Sequence, residues 1–187
     1  CHILLGNLRV LGDELRVDKE WLDSLSSALV HMLRNSVDHG IESKEYRLSL
    51  GKPAEGNISV EYKTENGNFL MTVTDDGRGI DVEKLKRSAL DRGLIFEGDE
   101  LTREDAMKLI FVPGISTNEK EGIYSGRGVG MDAVLHNIEL LGGRIETKSE
   151  EGRGTTFTVV IPLKNVPVEE NDDGEELTED EDINSRR

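Results

Sequence analysis

The sequence predicts an α+β fold: a two-layer α/β sandwich in which a mixed, mostly antiparallel sheet carries helices on one face. Two pairs of segments alternate apolar and polar residues around a short polar turn, which is typical of β-hairpins. Capped segments with helical patterning separate these hairpins. Hairpins with helices between them favour an α+β sandwich over a doubly wound parallel sheet.

In the N-terminal half, the apolar-rich stretch Ile3–Val17 is interrupted by glycines and predicts short strands. Asp18 can cap a long helix that continues to about His39, and Gly40 would end it. A short helix and the first hairpin follow, over 43–50 for the helix and over 58–62 and 69–75 for the two strands.

The C-terminal half is expected to contain three helices, one long loop and a second hairpin. Asp81 and Thr102 have side chains that cap helices, and the stretch Val112–Gly130 is rich in Gly and Ser without a period. A loop of that length is uncommon in a compact domain and is usually functional. The expected bounds are 81–93, 102–110 and 129–141 for the helices, and 144–149 and 155–161 for the strands.

Charge is distributed unevenly along the 187 residues, whose formal net charge is −15. Asn165–Arg187 contains ten Asp or Glu and two Arg, a net −8, while Cys1–Lys164 contains 28 acids and 21 bases, a net −7. Because the last segment has few apolar residues, we expect 1–164 to be one folded domain and 165–187 to be a disordered acidic tail. The negative charge argues against nucleic-acid binding, which needs clustered Lys and Arg.

The cellular compartment can also be predicted. The single Cys1 cannot form an internal disulfide, and the sequence has neither a signal peptide nor an apolar run of about 18 residues. We therefore expect a cytoplasmic protein without direct membrane insertion.

A polar stripe is predicted on the long helix. His31, Asn35, Asp38 and His39 follow helical spacing, so they share one side of an α-helix, with Arg34 beside them. These side chains supply the donors and oxygen ligands that a Mg²⁺–triphosphate group needs. The alternative is a solvated helix face, although Asn is unfavourable in the middle of a helix.

Asp75 is predicted to lie at the end of a buried row. Phe69, Met71 and Val73 precede it on the same side of their strand, and an unpaired carboxylate there would be costly. Gly77 follows, with Gly79 two residues later, and both allow a sharp turn and close ligand approach. Such a carboxylate could accept a hydrogen bond from the amine of adenine. The alternative is an ordinary exposed Asp-Gly turn.

A glycine-rich segment, 125–130, leads directly into a predicted helix. Free N–H groups and the helix dipole at such a start attract phosphate. By itself this pattern is weak, since such segments can be merely flexible. No strand precedes it immediately, and it lacks the Gly-Lys-Ser/Thr ending of a P-loop.

Taken in order, these segments resemble the four sequence boxes of the GHKL superfamily of ATPases, which includes gyrase, the large heat-shock chaperones, histidine kinases and MutL. The matching positions are Asn35 and the segments 75–79, 126–130 and 152–156. Residues 31–42, 111–117 and 125–132 are similar, more narrowly, to chemotaxis histidine kinases of the CheA family. The resemblance covers residues from about 8 to 163.

The resemblance implies roles for the matching residues. Asn35 would ligate Mg²⁺, with His31 as a second candidate ligand. His31 and Arg34 would lie near the phosphates, and His39 would support the same group. Ser116, Thr117 and the glycines Gly126, Gly128 and Gly130 would close over the phosphates. Asp75 would accept from the adenine amine, with Thr155 assisting through water. The remaining implied nucleotide contacts are Asp38, Gly77, Gly79, Ile80, Lys84, Arg127, Val129 and Met131.

The resemblance also implies an activity and partners. Family members transfer the γ-phosphoryl group of ATP to a histidine on a separate phosphotransfer domain, from which a response regulator is phosphorylated, under the control of chemoreceptors and a coupling protein. Hydrolytic relatives carry Glu where His31 stands, so we expect slow ATP hydrolysis. Two alternatives stay open: a conformational ATPase like gyrase or MutL, and a pseudokinase that binds nucleotide or serves only as an interaction module.

Overall fold

The computed structural model describes residues 5–12, 17, 19–115 and 130–167. Their strands are β1 (Leu5–Gly12), β2 (Gly56–Glu65), β3 (Asn68–Asp75), β4 (Arg144–Glu150) and β5 (Gly154–Pro162). They form one sheet in the order β1-β2-β3-β5-β4, in which β1 is parallel to β2 and the other neighbouring pairs are antiparallel. The sheet is therefore mixed and mostly antiparallel, as predicted.

In the described part of the chain, five α-helices and a π-helical turn lie between these strands. Asp81 and Thr102 cap their helices as predicted, since their side chains accept from the backbone N–H groups of Lys84 and Asp105. None of the described helices is long and apolar enough to cross a membrane. The helices are α1 (Lys19–Asn35), α2 (Lys44–Ser49), α3 (Val82–Asp91), α4 (Arg103–Lys108) and α5 (Met131–Leu140), with the π-helical turn at Ser36–Gly40 and 3₁₀ turns at Leu109–Phe111 and Leu163–Asn165.

The core lies between one face of the sheet and the helices, as the two-layer prediction requires. Trp21 of α1 packs edge-on against Phe69 of β3, with 5.4 Å between the ring centroids. Apolar side chains from α1, α3 and α5 complete the same cluster. On the opposite face, hydroxyl groups pair between β3 and β5, including those of Thr74 and Thr156 at 3.1 Å. Burial of the apolar row therefore holds the helices on one face.

The structure differs from the sequence-based bounds at several places. β2 is longer than the strand predicted over 58–62. Among the described residues of the stretch Ile3–Val17, Leu5–Gly12 form a single strand, β1. The predicted helix to His39 is α-helical only to Asn35 and continues as a π-helical turn. Val166, two residues beyond the expected end of the domain, is buried in the core. The predicted acidic tail after Pro167, and positions 116–129 of the predicted loop, lie outside the described residues.

Candidate functional site

A cleft of about 400 Å³ opens where the helix layer meets the ends of β3 and β5. The π-helical turn forms one wall, and the segment that follows β3 forms another. The starts of α3, α5 and β5 complete it. Among the described residues it is lined by Asn35, Ser36, Asp38, His39, Gly40, Asp75, Arg78, Gly79, Ile80, Asp81, Lys84, Ile110, Ile115, Gly130, Met131, Thr155 and Phe157.

The π-helical turn determines which side chains of this segment face the cleft. The Ile41 amide donates to the Ser36 carbonyl at 2.8 Å, one residue farther back than in an α-helix. The wider turn rotates the following residues relative to α1, and π-turns are frequent at functional sites. Consequently Asn35, Asp38 and His39 line the cleft, and so does Ser36, which the sequence-based stripe did not include.

His31 and Arg34 are not among the described residues that line the cleft. His31 is half-buried one turn before Asn35, and Arg34 is exposed. The prediction that His31 shares a stripe with Asp38 and His39 assumed an uninterrupted α-helix, and the π-helical turn breaks that alignment.

Asp75 is buried at the base of the cleft, with 4% of its surface exposed. One oxygen, Oδ1, accepts from the backbone amides of Gly77 at 3.0 Å and Thr155 at 3.3 Å. The other, Oδ2, accepts from the Ser36 hydroxyl at 3.0 Å. A carboxylate oxygen can accept two hydrogen bonds, so Oδ2 retains capacity for one more donor.

The surroundings of Asp75 also change the pKa of its carboxyl group. Burial raises the pKa of the carboxyl group, and the hydrogen bonds from Gly77, Ser36 and Thr155 oppose that rise without cancelling it. The negative charge of Asp76 adds to the increase. A buried acid of this kind is typical of functional sites, where a specific partner offsets the cost of keeping it ionised.

Two glycines let separate backbone segments meet beside Asp75. A β-carbon at Gly77 would overlap the carbonyl of Gly40, and one at Gly154 would overlap the carbonyl of Asp75. Gly154 also has a φ of +117°, which disfavours any side chain. The amide of Arg78 donates to the Gly40 carbonyl at 2.9 Å. The segment after β3 is thus held directly against the π-helical turn and the β4–β5 hairpin.

Thr155 lies beside Asp75 in a small hydroxyl network. Its Oγ1 is 3.1 Å from the hydroxyl of Ser149. The Ser149 hydroxyl donates to the Gly154 carbonyl at 3.0 Å and accepts from the Ile80 amide at 2.8 Å. The sequence-based interpretation missed Ser149. The sequence contained a signal, because strand alternation places Ser149 on the same side of β4 as Ile145 and Thr147.

A buried ion cluster (Glu42, Arg47, Lys52 and Asp76) lies behind the turn that follows Asp75. Arg47 contacts Glu42 and Asp76, both at 3.0 Å, and Lys52 contacts Glu42 at 2.8 Å. The side chains of Glu42 and Arg47 are at most 1% exposed. Burial acts to raise the pKa of Asp76, but hydrogen bonds from Asn57 and Arg47 outweigh it and lower the pKa overall. This cluster was not anticipated from the sequence.

The other predicted contacts fall into three groups. Gly79, Ile80, Lys84, Gly130 and Met131 line the cleft with Asp38. Gly77 is buried behind Asp75 and is not one of the lining residues described. The predicted residues that lie outside the described part of the chain are Ser116, Thr117, Gly126, Arg127, Gly128 and Val129.

A second depression, more open to solvent, lies between the start of α1 and the end of α5. Glu20, Trp21 and Leu140 are among the residues that line it, and none of the predicted site residues that the structure describes is. The converging polar groups around Asp75 therefore identify the cleft at Asp75 as the candidate site.

Comparison with known proteins shows the family to which the chain belongs. Residues 24–165 match the family of histidine kinase-, DNA gyrase B- and HSP90-like ATPases. The chemotaxis protein CheA of Treponema pallidum (strain Nichols) is 43% identical over 156 residues, which are 83% of this chain and 19% of that protein. The gliding motility regulatory protein of Myxococcus xanthus is 44% identical over 158 residues, 83% of this chain and 20% of that protein. The sensor histidine kinase CheAY of Helicobacter pylori (strain ATCC 700392 / 26695) is 42% identical over 158 residues, with the same two shares.

Solved structures show the same fold at lower sequence identity. The histidine kinase domain of the blue-light activated histidine kinase EL346 from Erythrobacter litoralis superposes with a TM-score of 0.52 at 20% identity, covering 84% of this chain and 54% of that one. The catalytic domain of histidine kinase ThkA gives a TM-score of 0.50 at 18% identity, covering 84% and 78%. The chain spans about a fifth of the length of the curated relatives described above. It therefore belongs to the family of histidine kinase-, DNA gyrase B- and HSP90-like ATPases.

Proposed function

We propose that this domain binds ATP with Mg²⁺ and transfers the γ-phosphoryl group to a histidine on a separate phosphotransfer domain. One observation carries the proposal: the cleft joins a buried carboxylate, Asp75, to a polar wall that includes Asn35 and His39. A purine with an exocyclic amine suits the first feature, and a metal-bound triphosphate suits the second.

The base would be selected at Asp75. Among the described residues one donor, Ser36, reaches its Oδ2 atom, and Asp75 lines the cleft, so this oxygen can accept from the adenine amine. The buried side chains of Ile80, Ile115 and Met131 line the same cleft and would contact the ring. Hydrogen bonds to an ionised carboxylate contribute roughly 1.5–3 kcal/mol, which is enough to discriminate between bases.

The phosphates would lie toward Asn35 and the start of α5. Mg²⁺ prefers oxygen ligands, and the Asn35 amide can supply one beside the phosphate oxygens. His39 lines the same wall, and Lys84 of α3 could contribute positive charge. Bound Mg²⁺ would neutralise charge on the phosphates, which is the main requirement of phosphoryl transfer. Gly130 and Met131 begin α5, whose N-terminal amides favour negative charge.

Transfer is favoured over hydrolysis by one feature of the sequence. The position one turn before Asn35 holds His31, whereas hydrolytic relatives hold Glu there. Without that carboxylate to activate water, the expected acceptor is the imidazole of the phosphotransfer domain. We place the domain in a cytoplasmic two-component pathway, with a response regulator downstream and a chemoreceptor with its coupling protein upstream.

The test is phosphorylation of a cognate histidine phosphotransfer domain with γ-labelled ATP and Mg²⁺. We expect acid-labile label on that domain, strong loss of labelling with Asn35→Ala, and wild-type labelling with the control Asn165→Ala, since Asn165 is exposed and lies outside the cleft. Nucleotide binding without transfer would favour a pseudokinase. Rapid ATP turnover without transfer, especially if DNA stimulates it, would favour a conformational ATPase.

A further inference from the structure

We infer that Lys52 and Arg47 are positioning residues for the nucleotide base, because they hold the peptide group that orients the carboxylate of Asp75. The inference rests on the proposed function, since it concerns how that cleft selects adenine. Neither residue is among the described residues that line the cleft.

The connection runs through a single peptide group. The carbonyl of Asp76 and the N–H of Gly77 belong to the same planar unit, so fixing one end fixes the other. On the carbonyl side, Lys52 Nζ donates at 2.8 Å and Arg47 Nη1 at 3.2 Å. On the amide side, the Gly77 N–H donates to Asp75 Oδ1 at 3.0 Å.

The peptide group also transmits charge. Two cations at the carbonyl oxygen polarise the amide and strengthen its N–H as a donor, as in other chains of hydrogen bonds. Lys52 Nζ additionally donates to the next carbonyl, that of Gly77, at 2.8 Å. The backbone on both sides of the Gly77 N–H is therefore held by the same ammonium group.

The cations themselves are fixed in place. Glu42 accepts from Lys52 through Oε1 at 2.8 Å and from Arg47 through Oε2 at 3.0 Å. Arg47 also donates to the Pro53 carbonyl at 2.8 Å and to Asp76 Oδ2 at 3.0 Å. Two acids balance two bases in this buried ion cluster, so each of its two buried charges, Glu42 and Arg47, has opposite charges beside it.

Orientation of Asp75 matters because its two oxygens have different tasks. Oδ1 accepts two backbone amides, and Oδ2 accepts Ser36 and can accept one more donor. If the Asp76–Gly77 peptide group rotates, Oδ1 loses a donor and Oδ2 turns away from the place of the base. Loss of this orientation should then weaken the hydrogen bond to the adenine amine and leave binding of the phosphates unchanged.

The experiment compares two nucleotides by titration calorimetry with the 187-residue chain. ATP carries the exocyclic amine, and inosine triphosphate carries a carbonyl in its place. The variants are Lys52→Met, Lys52→Arg as the conservative replacement, and Asp75→Asn. Lys63→Met is the matched control, because Lys63 is 59% exposed and pairs only with Glu65 among the interactions described. Thermal unfolding without nucleotide checks folding, and Lys52→Gln replaces Lys52→Met if the latter does not fold.

We expect Lys52→Met to weaken ATP binding about tenfold while changing inosine triphosphate binding less than about twofold, so that the preference for ATP falls. Lys52→Arg should restore most of that preference, and Lys63→Met should leave it unchanged. Equal weakening of both nucleotides, or an unchanged preference for ATP, would overturn the inference. If the wild-type chain does not bind ATP, or Asp75→Asn leaves the preference intact, the proposed function fails instead, so the two failures can be told apart.

Discussion

Asp75 obtains its donors from three separate parts of the chain, and that explains both what the sequence could predict and what it could not. Its burial followed from the alternation of β3, since it continues a row of buried apolar side chains. Its partners did not follow, because Ser36 and Thr155 are 39 and 80 residues away along the chain. Only tertiary packing brings those two residues to the carboxylate.

Replacing Asp75 by Asn should weaken ATP binding tenfold or more, about 1.4 kcal/mol, because the amide turns a charged acceptor into a neutral one. Titration calorimetry measures this, and Asp91→Asn is the control, since Asp91 is exposed at the end of α3 and does not line the cleft. Unchanged affinity in Asp75→Asn would remove this residue from the site.

Although Asp75→Asn should weaken ATP binding, it should stabilise the folded chain without nucleotide. Burial raises the pKa of Asp75 above its ordinary value of 3.8. The folded chain therefore holds the proton more tightly than the unfolded chain does, and the contribution of Asp75 to stability falls as pH rises from the unfolded pKa through the folded one. Asp75→Asn removes this ionisation, so we expect a higher unfolding temperature than that of the wild type at pH 7 without nucleotide.

That gain should shrink as pH is lowered through the pKa of Asp75, because the wild-type carboxyl then becomes neutral as well. Thermal unfolding followed by circular dichroism, at several pH values between about 4 and 7, measures the gain in unfolding temperature at pH 7 and its decrease at lower pH. An Asp75→Asn chain that unfolds at a lower temperature than the wild type at pH 7 would show that ionised Asp75 stabilises the fold.

Among the secondary-structure elements, hairpins and caps were the most predictable. The Asn66-Gly67 turn joins β2 to β3 where expected, and Asp81 and Thr102 cap helices. The π-helical turn was not predictable, because α- and π-turns differ by one residue in hydrogen bonding and the local sequence suits both. Contact between the Gly40 carbonyl and the Arg78 amide, on a distant segment, accompanies the π form.

Substitutions at two glycines of the β4–β5 hairpin distinguish the cost of backbone strain from the cost of steric overlap. Gly152 and Gly154 both have positive φ values, 76° and 117°, but only at Gly154 would a β-carbon meet the carbonyl of Asp75. We expect Gly152→Ala to cost about 1–2 kcal/mol of unfolding free energy, and Gly154→Ala about 1–3 kcal/mol more.

Urea denaturation measures these costs, and ATP titration should show weaker binding only for Gly154→Ala, because its new methyl group displaces Asp75. Equal loss of stability and equal ATP affinity in the two variants would mean that the hairpin does not hold Asp75 in position.

For the whole molecule, the layer arrangement was predictable and the connections between segments were not. The hairpins required antiparallel neighbours, but nothing local indicated that β1 would pair in parallel with β2 at the sheet edge. The buried ion cluster could not be predicted from the sequence for a similar reason. Glu42, Arg47 and Lys52 resemble ordinary surface residues in the sequence, and only their contact with Asp76, on a distant segment, reveals them.

Arg47→Met should reduce the unfolding free energy by about 3–5 kcal/mol, because it leaves the buried carboxylate of Glu42 without one of its two cations. Lys63→Met removes an equal charge from the surface and should change stability little. Urea denaturation of both variants checks the difference. Similar small losses in the two would show that the buried ion cluster contributes no more than a surface pair.

A crystal structure of the chain with a non-hydrolysable ATP analogue and Mg²⁺ would decide whether the cleft at Asp75 is the nucleotide site. We predict that the adenine amine lies about 3 Å from Asp75 Oδ2 and that the Asn35 side chain ligates the metal ion. An analogue bound in the second depression beside Trp21, or bound in the cleft without contact between its base and Asp75, would contradict the account.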